Sequence, residues 1–153
     1  MKITHFSWIL VALLASSLVF SSCEKPDDSG NPNADVENLI TVEMYDEDNG
    51  KTVIEDMLLY INKDKCFEIA YSMTSGVYEV GRKKLSSFEK EDVWDIKWDR
   101  SAPINPKHSY IVKCEAGPYI IRNYFKLYVN DYIYNMKGEV VGATVQYCYW
   151  YQW

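Results

Sequence analysis

Histidine is nearly absent from this chain: two occur in 153 residues, and after His5 only His108 remains. One imidazole gives little support to Ser–His or Cys–His nucleophilic catalysis. His108 and Ser109 cannot work as a pair, because neighbours on a strand point to opposite faces. No glycine-rich loop of the phosphate-cradling kind is present. Positive charge is scarce as well, with 16 Lys and Arg against 22 Asp and Glu and a net charge of −6. That balance argues against nucleic acid, whose phosphates demand Lys and Arg, and against electrostatic docking on anionic lipid. No apolar run reaches the roughly 20 residues of a membrane-spanning helix. No window of adequate length has convincing helical amphipathicity.

What is present begins with Lys2, an apolar run from Trp8 to Phe20, and then Ser21, Ser22 and Cys23. A run of that length suits a signal-peptide core. The small-small-Cys ending resembles a lipobox, with Phe20 where Leu is usual. The resemblance implies cleavage before Cys23 and acylation of its thiol. Each buried methylene contributes about 0.8 kcal/mol, so two or three chains anchor stably where one is marginal. Lys25, Asp27 and Asp28 are similar to the export signal of surface lipoproteins in the Bacteroidetes; a merely solvated linker is the other reading. Residues 1–22 are therefore expected to be a lipoprotein signal peptide, 23–37 a flexible Pro/Gly/Ser/Asn-rich tether, and 38–153 a single β domain. Removing the signal leaves 131 of the 153 residues and, with Lys2 gone, a charge of −7 before terminal effects.

Aromatic residues make up 15% of the chain, and seven of the 13 tyrosines fall between Tyr124 and the C-terminus. Tyrosine packs its ring on a pleated surface while its hydroxyl reaches water, which suits strands and binding surfaces alike. With Cys23 lipidated, Cys66, Cys114 and Cys148 allow one disulfide plus a thiol, or three buried thiols. No two of them are close enough in sequence for a zinc site. Neither a metal nor another cofactor is expected.

Short alternating runs fill the rest. Strands are predicted over 39–45, 57–61, 66–71, 76–80, 94–99, 109–114, 124–129, 132–136 and 140–150. Asn49-Gly50 is read as a hairpin turn, the strongest short-range signal of its kind. Ser86 or Ser87 could cap a short helical turn, with acids following. Proline marks 102–106 as a constrained loop, and Asn130-Asp131, Lys137-Gly138 and Gly117-Pro118 read as turns. The fold class that follows is all-β, a sandwich or small barrel of about seven to nine mostly antiparallel strands.

Three stretches, Asn49-Gly50-Lys51-Thr52, Leu58-Leu59-Tyr60-Ile61-Asn62 and Pro106-Lys107-His108-Ser109-Tyr110, resemble a family of small Bacteroidetes lipoprotein domains of unknown function. The resemblance implies fold and habitat and carries no catalytic residues.

Several constellations bear on function. Asp46, Glu47 and Asp48 hint at a calcium loop, but counted from Asp46 the glycine is fifth and position twelve is Met57, against the EF-hand's sixth-position Gly and twelfth-position Glu. Trp94 and Trp98, with acids nearby, suggest a platform on which a sugar ring could stack. As strand residues at period 2 they would share one face, opposite the acids, and core is favoured over a platform. Tyr147, Tyr149, Tyr151 and Trp153 alternate along the last strand and are expected to share a face, with core favoured. Acids are too common here for any glycosidase pair to stand out. The expectation is a lipid-anchored outer-membrane protein, on the periplasmic or cell-surface side, that binds and does not catalyse. The glycan-binding accessory module rests on Trp94, Trp98 and the tyrosine-rich C-terminal end; the rival is a structural or assembly subunit that pairs with another envelope protein. Its partners are the membrane, through the anchor, and a glycan or envelope protein; nucleic acid is not among them.

Overall fold

A computed structural model of the chain describes residues 31–70, 74–116 and 121–153. The expected signal, Cys23, Lys25, Asp27, Asp28 and the Gly117-Pro118 turn lie outside the described residues. The chain is all-β, with nine strands among the described residues: β1 Ile40–Tyr45, β2 Val53–Ile54, β3 Leu59–Ile61, β4 Cys66–Ile69, β5 Gly76–Gly81, β6 Ser101–Pro103, β7 Ser109–Ala116, β8 Ile121–Tyr134 and β9 Val140–Gln152. They form two antiparallel sheets in a sandwich, one of order β1-β9-β8-β7-β5 and the other β2-β3-β4-β6.

The core between the sheets follows from alternation. Leu59, Ile61, Phe67 and Ile69 of the smaller sheet meet Tyr110, Val112, Phe125, Leu127, Val129 and Val145 of the larger. Tyr110 is fully buried, and its hydroxyl is satisfied twice, donating to the Pro103 carbonyl and accepting from the Asn105 N–H, both at 2.8 Å. Its ring meets Phe67 edge-on at 5.1 Å.

The larger sheet also buries its other face. Ile111, Tyr124 and Tyr128 pack there against Leu85, Phe88 and Val93, which belong to a strap, residues 82–99, laid across the sheet. Leaving water contributes roughly 1.5–3 kcal/mol for each such large apolar side chain. Pro32–Trp153 is one folded unit, so residues 32–37, which composition assigns to the tether, are part of it. Asn33 is fully buried: its side chain donates to Gln146 Oε1 at 3.2 Å and accepts from the Leu85 N–H at 3.0 Å.

Five expectations are corrected. The proline-marked loop expected over 102–106 begins only after Pro103, since Ser101–Pro103 is β6, an edge strand paired with β4. Residues 94–99 are not a strand: the chain forms 3-10 turns at Leu85–Ser87 and Lys90–Val93, the second capped by Glu89 and Asp92, not by Ser86 or Ser87. The expected strands 124–129 and 132–136 are one, β8, because Asn130 is absorbed as a bulge in unbroken pairing with β9. The Asn49-Gly50 turn does not close a hairpin within one sheet; β1 pairs with β9 while β2 pairs with β3, so the turn carries the chain between sheets. Finally, Tyr147, Tyr149, Tyr151 and Trp153 do not share a face. The β8–β9 register passes from Phe125↔Tyr149 to Tyr124↔Tyr151. The extra residue, Trp150, sends Tyr151 to the strap side while Tyr147 stays in the inner core.

The crossing at Asp46 ties the sheets together. Its N–H donates to the Val141 carbonyl at 3.0 Å, and its bridge partner Ile61 belongs to the other sheet. Its buried carboxylate accepts from the Asp48 and Asn49 N–H groups and the Asn49 amide, and pairs with the Lys65 ammonium. Burial alone would raise the Asp46 pKa, but Lys65, Asn49 and Asp48 outweigh it and hold the carboxyl below 3.8. A depressed carboxyl stabilises the fold above its unfolded pKa and loses that contribution as pH falls through the folded one. Asp46→Ala is therefore expected to lower unfolding free energy at pH 7 by about 2–3 kcal/mol in chemical denaturation. The gap between variant and parent should narrow as pH drops below 3.8.

Candidate functional site

The strap decides where the tryptophans go. Asp92 Oδ2 accepts the Glu89 N–H at 2.9 Å and the Lys83 ammonium at 2.8 Å, so the chain coils at 90–93 and cannot extend. Val93 turns in against the sheet and Trp94, next along, turns out. Trp94 is 64% exposed. Trp98 is half-buried in the outer-face cluster, 6.0 Å from the Tyr124 ring and 5.0 Å below the Lys113 ammonium. The two indoles singled out in the sequence are thus separated: Trp98 is packing and Trp94 is surface.

Trp94 has a different aromatic companion. A cleft of about 240 Å³ is lined by Lys90, Glu91 and Trp94 of the strap and by Tyr151, Gln152 and Trp153 at the end of β9. Trp153, also 64% exposed, is fixed by paired backbone bonds with Arg122, at 2.8 and 3.1 Å. Tyr151 lies flat on Tyr124 at 4.7 Å and edge-on to Trp150 at 4.9 Å. Its hydroxyl is buried and bonds to nothing among the described residues. Burial, with Tyr124 and Glu91 nearby, pushes the phenol up to about 12, so it remains a donor at neutral pH. The Lys90 ammonium stands 5.1 Å from the same ring. The cleft therefore offers flat apolar faces, one carboxylate acceptor and one ammonium, while the Tyr151 hydroxyl lies buried behind its ring. Sequence reasoning points to the tyrosine-rich end as a whole but does not single out Tyr151 and Trp153 as partners of Trp94, because the bulge at Trp150 leaves no mark on the alternation.

The remaining candidates are structural. Asp46 closes its own turn through Asp48 and Asn49 and pairs with Lys65. His108 Nδ1 lies 2.5 Å from Glu79 Oε1, which also accepts the Asn105 amide at 2.8 Å. Ser109 Oγ donates to the Lys83 carbonyl. Among the described residues no group of three or more His, Cys, Asp or Glu is placed to hold a metal ion. Cys66, Cys114 and Cys148 are free thiols; burial pushes the Cys114 thiol up to about 12, which keeps it protonated and unreactive.

Residues 41–152 match the model of a family described as Domain of unknown function (DUF5036). The chain belongs to that family. The match spans β1 to the end of β9, so the family's domain contains the three stretches on which the resemblance rests and every residue lining the cleft except Trp153. No curated protein and no solved structure matches the chain.

Burial separates the two tryptophans experimentally. Trp98→Ala is expected to lower unfolding free energy by about 2–3 kcal/mol, while Trp94→Ala changes it by less than about 0.5 kcal/mol. Gly76→Ala should act through Trp98, since a Cβ at Gly76 would sit 2.7 Å from the Trp98 Cβ. Denaturation followed by tryptophan fluorescence reads all three.

Proposed function

We propose that this chain is a lipid-anchored cell-envelope protein that binds a saccharide in the cleft lined by Trp94, Tyr151 and Trp153. The observation that carries the reading is the exposure of two indoles at one concavity, since tryptophan is highly buried on average. Flat aromatic faces accept the apolar face of a sugar ring, and Glu91 and Lys90 supply an acceptor and a donor for its hydroxyls. At about 240 Å³ the cleft falls below the 300–1,000 Å³ of pockets that enclose a drug-sized ligand. It suits one ring of a longer chain. Binding without hydrolysis fits the single carboxylate among the described lining residues, where glycoside hydrolysis uses two. Attachment would come from acylated Cys23, in the manner of the Bacteroidetes outer-membrane lipoproteins that residues 21–28 resemble, and surface display from Lys25, Asp27 and Asp28.

A second reading, an assembly subunit with a protein partner, draws on the β8–β9 hairpin tip, where Tyr134 is 56% exposed and Met136 wholly so.

A glycan array probed with the full chain in neutral detergent tests the first reading. Saturable binding is expected, with Trp94→Ala and Trp153→Ala each weakening it about tenfold to thirtyfold. Tyr151→Phe should leave the fold as stable or more so, because the lost hydroxyl is buried without a partner among the described residues, and should leave saccharide binding in place, because the ring face remains. An array without hits, or binding unchanged in the Trp94/Trp153 double variant, would reject the cleft and turn attention to Tyr134 and Met136.

A further inference from the structure

We propose that a second cleft, at the other end of the strap, binds a sulfate or phosphate ester carried on a saccharide. This cleft, about 250 Å³, is lined by Pro32, Arg82, Lys83, Lys84, Lys107 and Tyr128. Four cations on one concavity stand out in a chain of net charge −6. Lys83 is committed to Asp92 at 2.8 Å. Among the described residues, Arg82, Lys84 and Lys107 have no carboxylate within ion-pair reach, and no acid lines the cleft. Unneutralised like charges repel, and a concave basic site concentrates anions against that repulsion.

The backbone brings these cations together in two separate ways. Arg82, Lys83 and Lys84 follow a break in the β5–β7 register between Glu79 and Gly81, with Gly81 at φ +91. Such irregularities re-aim the residues beside them and are common next to functional sites. Lys107 has φ +66, a left-handed conformation that glycine or asparagine would adopt more easily. It is held there by its N–H bond to the Val129 carbonyl at 2.7 Å, with Val129 N–H returning to the His108 carbonyl at 3.0 Å. A lysine kept at a strained position that aims its side chain into a basic cleft points to a use for that side chain.

A tetrahedral ester suits the donors. The Arg82 guanidinium can take two oxygens in a fork, and the lysines serve the rest as point charges. The chain's negative charge disfavours approach to an anionic membrane as a whole, whereas a cleft admits a single ester group presented on an otherwise neutral polymer.

Calorimetric titration of the full chain in neutral detergent tests this, using sulfated dextran oligosaccharides, the unsulfated parent and micelles doped with an anionic phospholipid. Sulfate-dependent binding is expected, weakening as salt rises because exposed charges are screened. Arg82→Ala, Lys84→Ala and Lys107→Gly should each reduce it about twofold to fivefold, and the triple variant about tenfold or more. Lys107→Gly is the informative variant, since its melting temperature should hold or rise while affinity falls, and Lys107→Arg should restore binding. Trp94→Ala should leave the sulfate-dependent component in place, so this site stands or fails independently of the aromatic cleft. Equal titration by sulfated and unsulfated dextran, unchanged binding in the triple variant, or loss of the sulfate-dependent component in Trp94→Ala would each overturn the proposal. Preferential titration by the anionic micelles would overturn its assignment to a saccharide.

Discussion

The larger sheet has two apolar faces, and the second cannot be left in water. In an antiparallel sandwich one face of each sheet is ordinarily solvated, yet from Tyr124 to Val129 every residue of β8 is buried. Alternation places Phe125, Leu127 and Val129 between the sheets and leaves Tyr124, Lys126 and Tyr128 on the far side. Leu85, Phe88 and Val93 of the strap, with Ile96 and Trp98 packed beside them, cover that far side, so the strap is a third layer. Lys126 holds it in place: its ammonium donates to the Leu85 carbonyl at 2.9 Å and lies 4.7 Å from the Trp150 ring. Burial pushes the Lys126 pKa down, and the carbonyl and the aromatic faces supply what water no longer does.

A covering layer made of 3-10 turns has consequences that a strand or helix would not have. Each turn is too short to present a periodic face, so neighbours alternate between core and surface irregularly. Leu85, Phe88 and Val93 are buried while Lys84, Lys90 and Trp94 are outside. Anchoring therefore falls to individual contacts, among them Asn33 on Leu85, Ser109 on Lys83 and Lys126 on Leu85. Short elements pinned at points leave grooves where they meet the sheet beneath.

The sandwich was legible because burial on one side of a strand writes period 2 into the residues, as at Leu59, Ile61, Phe67 and Ile69. The β8–β9 turn was legible in Lys137-Gly138, since Gly138 adopts φ +79. Legibility failed wherever one residue changes the count. Asn130 looks like a turn and is a bulge; Trp150 looks like one more alternating position and shifts Tyr151 across the sheet. At Trp94 and Trp98 period 2 was present in the residues but not in the backbone, because the reciprocal bonding of Glu89 and Asp92 coils the chain just before it. Asn33 was hidden by its neighbours: composition averages over a window, whereas its role depends on one amide meeting Gln146 and Leu85. The candidate cleft was half visible, through Trp94, and half invisible, because Tyr151 and Trp153 join it only after the Trp150 bulge.

Both clefts are seams between the strap and what surrounds it, and that shared origin explains their different chemistry. The strap enters beside Lys107 and Tyr128, and there its residues are Arg82, Lys83 and Lys84; further along, against the end of β9, they are Lys90, Glu91 and Trp94. Residues lining a seam need only keep the layer closed, so their side chains are free to vary in charge and shape as the buried ones are not. The Lys83–Asp92 pair links the two regions across the strap, joining a lining residue of the basic cleft to the neighbour of Glu91 in the aromatic one. Side chains of both clefts thus rest on one small layer fixed by a few polar contacts. A change that loosens that layer acts on both at once, while a substitution at an exposed lining residue acts on one. In this architecture the sandwich supplies the platform, and both concavities lie where the strap and the residues at its edges meet.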